Sequence, residues 1–152
     1  MDRLMGYLLR KKPLTERPRL GSDFMMAHPD ITLPAMAGEK YRMALRMGGA
    51  MSGKEVGEHL IDAGLSEDEA AKRLFHFLEY CKVGKITVDG TIRMEESRES
   101  IYIKTLTEKW REPSCYFATG FLNGFFSAVK TQHVKETKCI AMGDPYCEWE
   151  FR

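Results

Sequence analysis

The stretch CYFATGFLNGFFSAV, residues 115–129, constrains the fold more than any other in the chain. Pro113-Ser114 introduces it as a helix from Cys115 to about Lys130, and Gly120, Gly124 and Ala128 then fall at i, i+4 and i+8 on one face. Each helical glycine costs about 1 kcal/mol relative to alanine. Two of them on one face imply the close approach of another backbone or of a flat ligand. Phe117, Phe121, Phe125, Phe126, Tyr116 and Leu122 cover much of the remaining surface. Two compatible readings follow. The helix packs tightly on a sheet, or it walls an apolar cavity in which small residues leave space and aromatics line it. The cavity reading gathers Phe117, Gly120, Phe121, Gly124 and Phe125 with Leu74 and Leu78 of an upstream helix and with the sheet.

The rest of the chain supplies the elements for that helix to pack on. Residues 1–34 are punctuated by Pro13, Pro18, Pro29 and Pro34 and read as an N-terminal arm with an entry strand around Asp23–Ala27; the domain proper is expected over 35–152. From Ala35 to Met47 apolar residues surround the helix almost completely, which suits burial on several sides or a subunit interface. Gly48-Gly49 is expected to end it. Two capping boxes, Ser52–Glu55 and Ser66–Glu69, then open helices to about Ala63 and Lys82. On the second, Ala70, Ala71, Leu74, Phe75, Leu78 and Cys81 form one apolar stripe, so Cys81 reads as core.

KITV-DG-TIRM is a hairpin signal, and SIYIKTL (Ser100–Leu106) alternates as a third strand. QHVKETKCIAM and YCEWEF read as two closing strands joined by Gly143-Asp144-Pro145. The expected class is α+β, with helices on one side of an antiparallel sheet.

Composition narrows the function classes. The 152 residues carry 23 basic and 22 acidic side chains, a net charge of +1, with no clustered basic face to argue for nucleic acid. The run RKKPLTERPR at 10–19 interleaves Glu16 and two prolines and reads as a solvated arm. The apolar run from Leu4 to Leu9 is too short for a signal-peptide core, and no stretch approaches the roughly 20 apolar residues of a membrane span. A cytoplasmic location is expected, where disulfides are rare.

That expectation bears on CIAMGDPYCEW at 139–149. Its two cysteines read as a disulfide hairpin, as two buried small residues, or as two thiolates facing a metal. Pairing of the closing strands brings Cys139 and Cys147 together, and Cys115, in a helical first turn where the dipole favours a thiolate, is a third donor. Three cysteines do not pair off evenly. Zinc takes four ligands, and Glu136, His133, Asp144 and Glu148 are candidates for the fourth. Spacing alone leaves that choice open. Glu136 and Cys139 point to opposite faces of a regular strand unless a bulge intervenes.

The tail GFLNGFFSAV…VKETKCIAMGDPYCEWEF closely resembles the C-terminal signature of the 4-vinyl reductase domain family, in which E-x-x-C-x-x-x-G-D-P-x-C follows a Cys-initiated, Gly-rich helix. EKYRMALRMGGAMSGKEVGEHL and FLEYCKVGKITV resemble its upstream helices and helix-to-strand step, so the likeness covers roughly residues 35–152. The resemblance implies a TRAPP-like ligand-binding fold, commonly dimeric, with an apolar pocket. It implies a structural zinc on Cys115, Glu136, Cys139 and Cys147, its charge offset by Lys135 and Lys138. It leaves Asp144 as the cap of the turn. The family name also implies reduction of a tetrapyrrole vinyl group. The sequence carries no dinucleotide loop after a strand, however, and its histidines (His28, His59, His76, His133) are scattered. A zinc-stapled module binding a hydrophobic or aromatic small molecule, as a homodimer, is therefore expected ahead of an enzyme. The alternatives are a TRAPP-type protein-interaction module, suited by ten methionines of which eight precede residue 52, or a vinyl reductase component.

Overall fold

A computed structural model of the chain describes residues 38–152, leaving aside Lys82 and residues 107–109. The expected arm, its entry strand at Asp23–Ala27 and the start of the helix from Ala35 lie outside the described residues. Helix α1 spans Glu39–Asp62 and α2 spans Glu67–Tyr80. Strands β1 (Lys85–Asp89) and β2 (Thr91–Glu95) follow, turning at Gly90, whose φ of 67° lies in the left-handed region. Helix α3 covers Arg98–Leu106 and α4 covers Tyr116–Val129. Strand β3 (Val134–Lys138), a 3-10 turn (Ile140–Met142) and β4 (Cys147–Phe151) close the chain. Among the described residues the sheet has four strands in the order β1-β2-β4-β3, every neighbouring pair antiparallel. Ile86, Ile92, Met94, Val134 and Trp149 are buried on its inner face, while Thr87, Arg93, Lys135 and Glu150 on the other face are exposed. The architecture is α+β, with the core between the helices and one face of the sheet.

Gly48-Gly49 does not end the first helix. One helix runs through both glycines and through the expected start at Ser52, because Gly49, Gly53 and Gly57 face α4. A Cβ on Gly53 would overlap the Phe121 carbonyl, and one on Gly124 the Ala50 carbonyl; Gly49 meets the Phe117 carbonyl and Gly120 that of Arg46. The two backbones interlock through glycines on both sides. The intimate contact offsets the propensity cost that would otherwise break α1. The expected partner of the α4 stripe, the sheet, is thus replaced by a helix. At the helix starts, Arg42 pairs with Glu112, Tyr116 Oη donates to Glu112 at 3.1 Å, and the Arg42 guanidinium lies 5.1 Å from the Trp110 ring centroid.

SIYIKTL is also not a strand. Glu96 turns the chain with φ at 56°, and the buried Ser97, Glu99, Ser100 and Ile103 share one side of α3. Most of these buried residues are polar, so their helical spacing leaves no hydrophobic trace. The box at Ser66 forms as the sequence indicates. Ser66 Oγ accepts from Glu69 N, and Ser66 N donates to Glu69 Oε2 at 3.0 Å. Ser66→Ala is expected to cost about 1 kcal/mol, read as a melting point lower by roughly 2–4 °C in a scanning-calorimetry trace.

Candidate functional site

Four elements converge behind the inner edge of the sheet. Cys115 stands at the N-cap of α4, Glu136 on β3, Cys139 just before the 3-10 turn and Cys147 at the start of β4. One ligand atom from each lies within 4.8 Å of the others, and all four residues are buried. The local sequence explains the convergence. The β3–β4 register shifts between Glu136 and Lys138, a bulge that makes room for Thr137 and lets Glu136 face inward opposite Trp149. Gly143, at φ 106°, closes the 3-10 turn, and Asp144 Oδ2 accepts from Cys139 N at 2.8 Å. The GDP turn therefore serves as a clamp on Cys139.

All four cysteines are free thiols. Cys115 Sγ and Cys147 Sγ are 3.4 Å apart. Cys81 caps the end of α2 and packs in the core. Burial pushes the Cys115 thiol well above its ordinary value. The dipole expected to lower it is already used, because the buried Glu99 carboxylate accepts from Phe117 N (2.9 Å) and Ala118 N (3.1 Å) at the start of α4. Burial likewise raises Glu99 to about 7. Cys139 is driven strongly down by hydrogen bonds from the Cys115 and Cys147 thiols, with further bonds from Ser100 and Ser114. Glu136 is pushed up to about 9 by burial and by the charge of Cys139 beside it.

The donor chemistry fits a metal. Glu136 Oε2 accepts from Thr119 Oγ1 at 3.2 Å, whereas Oε1 is buried without a hydrogen-bond partner. An orphaned buried carboxylate oxygen beside three sulfurs is costly unless a cation satisfies it. Three sulfurs and one carboxylate oxygen form a four-donor set of the kind tetrahedral zinc accepts.

The other fourth-ligand candidates are placed elsewhere. His133 is exposed, Asp144 is the turn clamp, and Glu148 points to the outer face, where it accepts from Arg93 Nε (2.7 Å) and pairs with Lys138 Nζ (2.9 Å). The lysines expected to offset the site's charge do not reach it. Lys138 is engaged by Glu148 and Tyr146, and Lys135 is exposed on the outer face.

Of the residues expected at an apolar pocket, Leu74, Leu78, Phe121 and Phe125 are buried in the core between α2, α4 and the sheet. Phe117, partly buried, stacks on Phe121 at 6.2 Å. Gly120 and Gly124 face the other way, onto α1. Ser97, Ser100 and Thr119 also belong to the site, and no spacing in the sequence marks them. Trp149 Nε1 donates to Thr119 Oγ1 at 2.8 Å, so the buried tryptophan orients the hydroxyl that holds Glu136. No helix among the described residues is long and apolar enough to cross a membrane.

Comparison with known proteins agrees with this geometry. An uncharacterized protein of Methanocaldococcus jannaschii is 26% identical over 104 residues, 64% of this chain, which spans 58% of that relative's length. The phenol-responsive sensory domain of the transcription activator PoxR superposes with a TM-score of 0.68 at 16% identity, over 90% of this chain and 75% of the sensory domain. A vinyl-4-reductase family protein from Methanocaldococcus jannaschii superposes with a TM-score of 0.57 at 14% identity, over 99% of this chain and 92% of its own. Identities this low speak for the fold alone. The family model for the vinyl-4-reductase domain matches residues 98–152, which run from α3 through β4 and include all four clustered donors, and this part of the chain is a domain of that family.

Proposed function

We propose that residues 35–152 form a zinc-stapled module that binds a hydrophobic or aromatic small molecule, works as a homodimer in the cytoplasm, and passes its occupancy to a partner. The observation that carries this reading is the buried Cys115, Glu136, Cys139 and Cys147 cluster with its unsatisfied Glu136 oxygen. Zinc there would cross-link the start of α4 to the closing hairpin. Four protein donors leave no open position of the kind a catalytic zinc keeps, so its role is structural. The ligand is assigned to the interior beside α4, among Leu74, Leu78, Phe117, Phe121 and Phe125, with Gly120 and Gly124 holding the opposite face of the helix on α1. Support for a small aromatic ligand comes from the shared fold with the phenol-responsive domain.

Thermal denaturation with phenol as the probe tests the ligand. A saturable rise in melting temperature is expected, because a ligand that binds only the folded state stabilises it by mass action. Leu78→Trp, which fills the space beside α4, is expected to abolish the rise while leaving metal content unchanged. Melting that stays flat to saturating phenol and to larger apolar aromatics contradicts small-molecule binding.

A protein-interaction module is the second reading, and the surface of α1 favours it. Met43, Met47 and Met51 form an i, i+4, i+8 stripe, 53%, 63% and 72% exposed. Flexible thioethers at such a site suit an adaptable interface. Sedimentation equilibrium separates the cases. A dimer that Met47→Asp dissociates supports self-association through this face, and a monomer in both forms removes it.

A further inference from the structure

Three serine hydroxyls surround the three sulfurs. Ser97 Oγ lies 3.4 Å from Cys115 Sγ, and Ser114 Oγ lies 3.2 Å from Cys139 Sγ. Ser100 Oγ sits 2.9 Å from Cys115 Sγ, 3.2 Å from Cys139 Sγ and 3.1 Å from Cys147 Sγ. It also lies 3.1 Å from Ser114 Oγ. All three serines are buried, two of them on α3 or at its start and one just before α4. Polar side chains of this kind stay buried only when their hydrogen bonds are made, and around these hydroxyls the partners are mainly sulfur.

The protons can be assigned. A metal binds cysteine as thiolate, which accepts hydrogen bonds and donates none. Each hydroxyl carries one proton. Cys147 is within reach of Ser100 alone among the three hydroxyls, so Ser100 donates there. Ser114 then serves Cys139 and Ser97 serves Cys115. Every thiolate receives one O–H, and two receive a backbone N–H as well: Ser114 N to Cys139 Sγ at 3.3 Å and Ile140 N to Cys147 Sγ at 3.5 Å.

The assignment answers a charge problem. Four anionic donors around a dication leave two negative charges in the interior, and neither Lys135 nor Lys138 reaches them. Oriented dipoles must therefore do what a cation does not.

We propose that Ser97, Ser100 and Ser114 are positioning residues of the metal centre, one hydroxyl donor for each thiolate, with Ser100 the donor that Cys147 depends on. This rests on the zinc reading above. Ser100→Ala removes the Cys147 donor and leaves the four ligands in place. Zinc affinity, measured by competition with a chromophoric chelator on the full chain, is expected to fall by about 10–100-fold, the usual loss when a partner of a ligand is removed. In the cobalt-loaded protein the thiolate-to-metal charge-transfer band is expected to move, since an unbonded thiolate is more electron-rich. Ser100→Thr, which keeps the hydroxyl, is expected to restore both. A fold that merely needed a small buried residue would show neither the band shift nor rescue by the bulkier threonine. Should Ser100→Ala fail to fold, Ser97→Ala, which alters only the Cys115 contact, is expected to shift the band with a smaller loss of affinity. Wild-type affinity and an unmoved band in whichever of these variants folds overturn the inference alone. A wild-type chain that takes up neither zinc nor cobalt overturns the zinc reading beneath it.

Discussion

Replacing Cys147 by serine is expected to unfold the domain's closing hairpin from α4 and to lower the melting temperature more than any other single change. The thiolate is one of four donors, and it stands at the start of β4, the strand that pairs with both β2 and β3. Binding energy at a structural zinc is folding energy, of order 10 kcal/mol in small zinc domains. Part of that survives the loss of one ligand, so a loss of several kcal/mol is expected, enough to exhaust most of a typical domain's stability. The effect should be matched in the wild type by a strong chelator and reversed by added zinc. Cys81→Ser, at the end of α2 and outside the cluster, should cost only its own packing and leave the response to chelator intact.

Gly124→Ala is expected to destabilise the protein by about 3 kcal/mol, the upper part of the usual range for overpacking, although alanine is the better helix former. A Cβ there meets the Ala50 carbonyl, which belongs to a helix and has nowhere to move. Gly120→Ala should behave alike against Arg46. The control is Gly48→Ala, in the same interlocked pair of helices. Gly48 has open space where a Cβ would go, so the substitution should stabilise by about 0.5–1 kcal/mol through propensity alone. Opposite signs at Gly48 and Gly124 in urea denaturation would establish close helix packing as the reason for the stripe. A neutral Gly124→Ala would mean that α1 and α4 separate easily, which would return the glycines to the wall of a cavity.

The features legible in the sequence are those decided within a few residues. The Asp-Gly hairpin, the Ser66 capping box, the reach of α4 and the turn-capping Asp144 all depend on neighbours in the chain. The site is half legible. The cysteine spacing across the GDP turn points to donors, but spacing alone leaves Glu136 level with His133, Asp144 and Glu148, since a regular strand turns Glu136 away. The bulge at Thr137 that reverses this is a tertiary feature of the β3–β4 pairing.

The two misread elements fail for related reasons. Gly48-Gly49 breaks an isolated helix, but Gly49 is held by Phe117 and Phe121, far downstream in the chain. SIYIKTL alternates like a strand because the residues that α3 buries include Glu99 and Ser100, whose partners are backbone N–H groups and sulfurs rather than apolar side chains. A hydrophobic pattern cannot register burial of that kind.

The most direct test of the account is the native mass spectrum of the intact chain purified after expression with zinc, without added chelator. One zinc per chain is the predicted result, absent in Cys147→Ser and retained in Cys81→Ser. A folded wild-type protein carrying less than about 0.2 zinc per chain would contradict it, because a metal that is part of the folding energy does not leave a folded domain at that level.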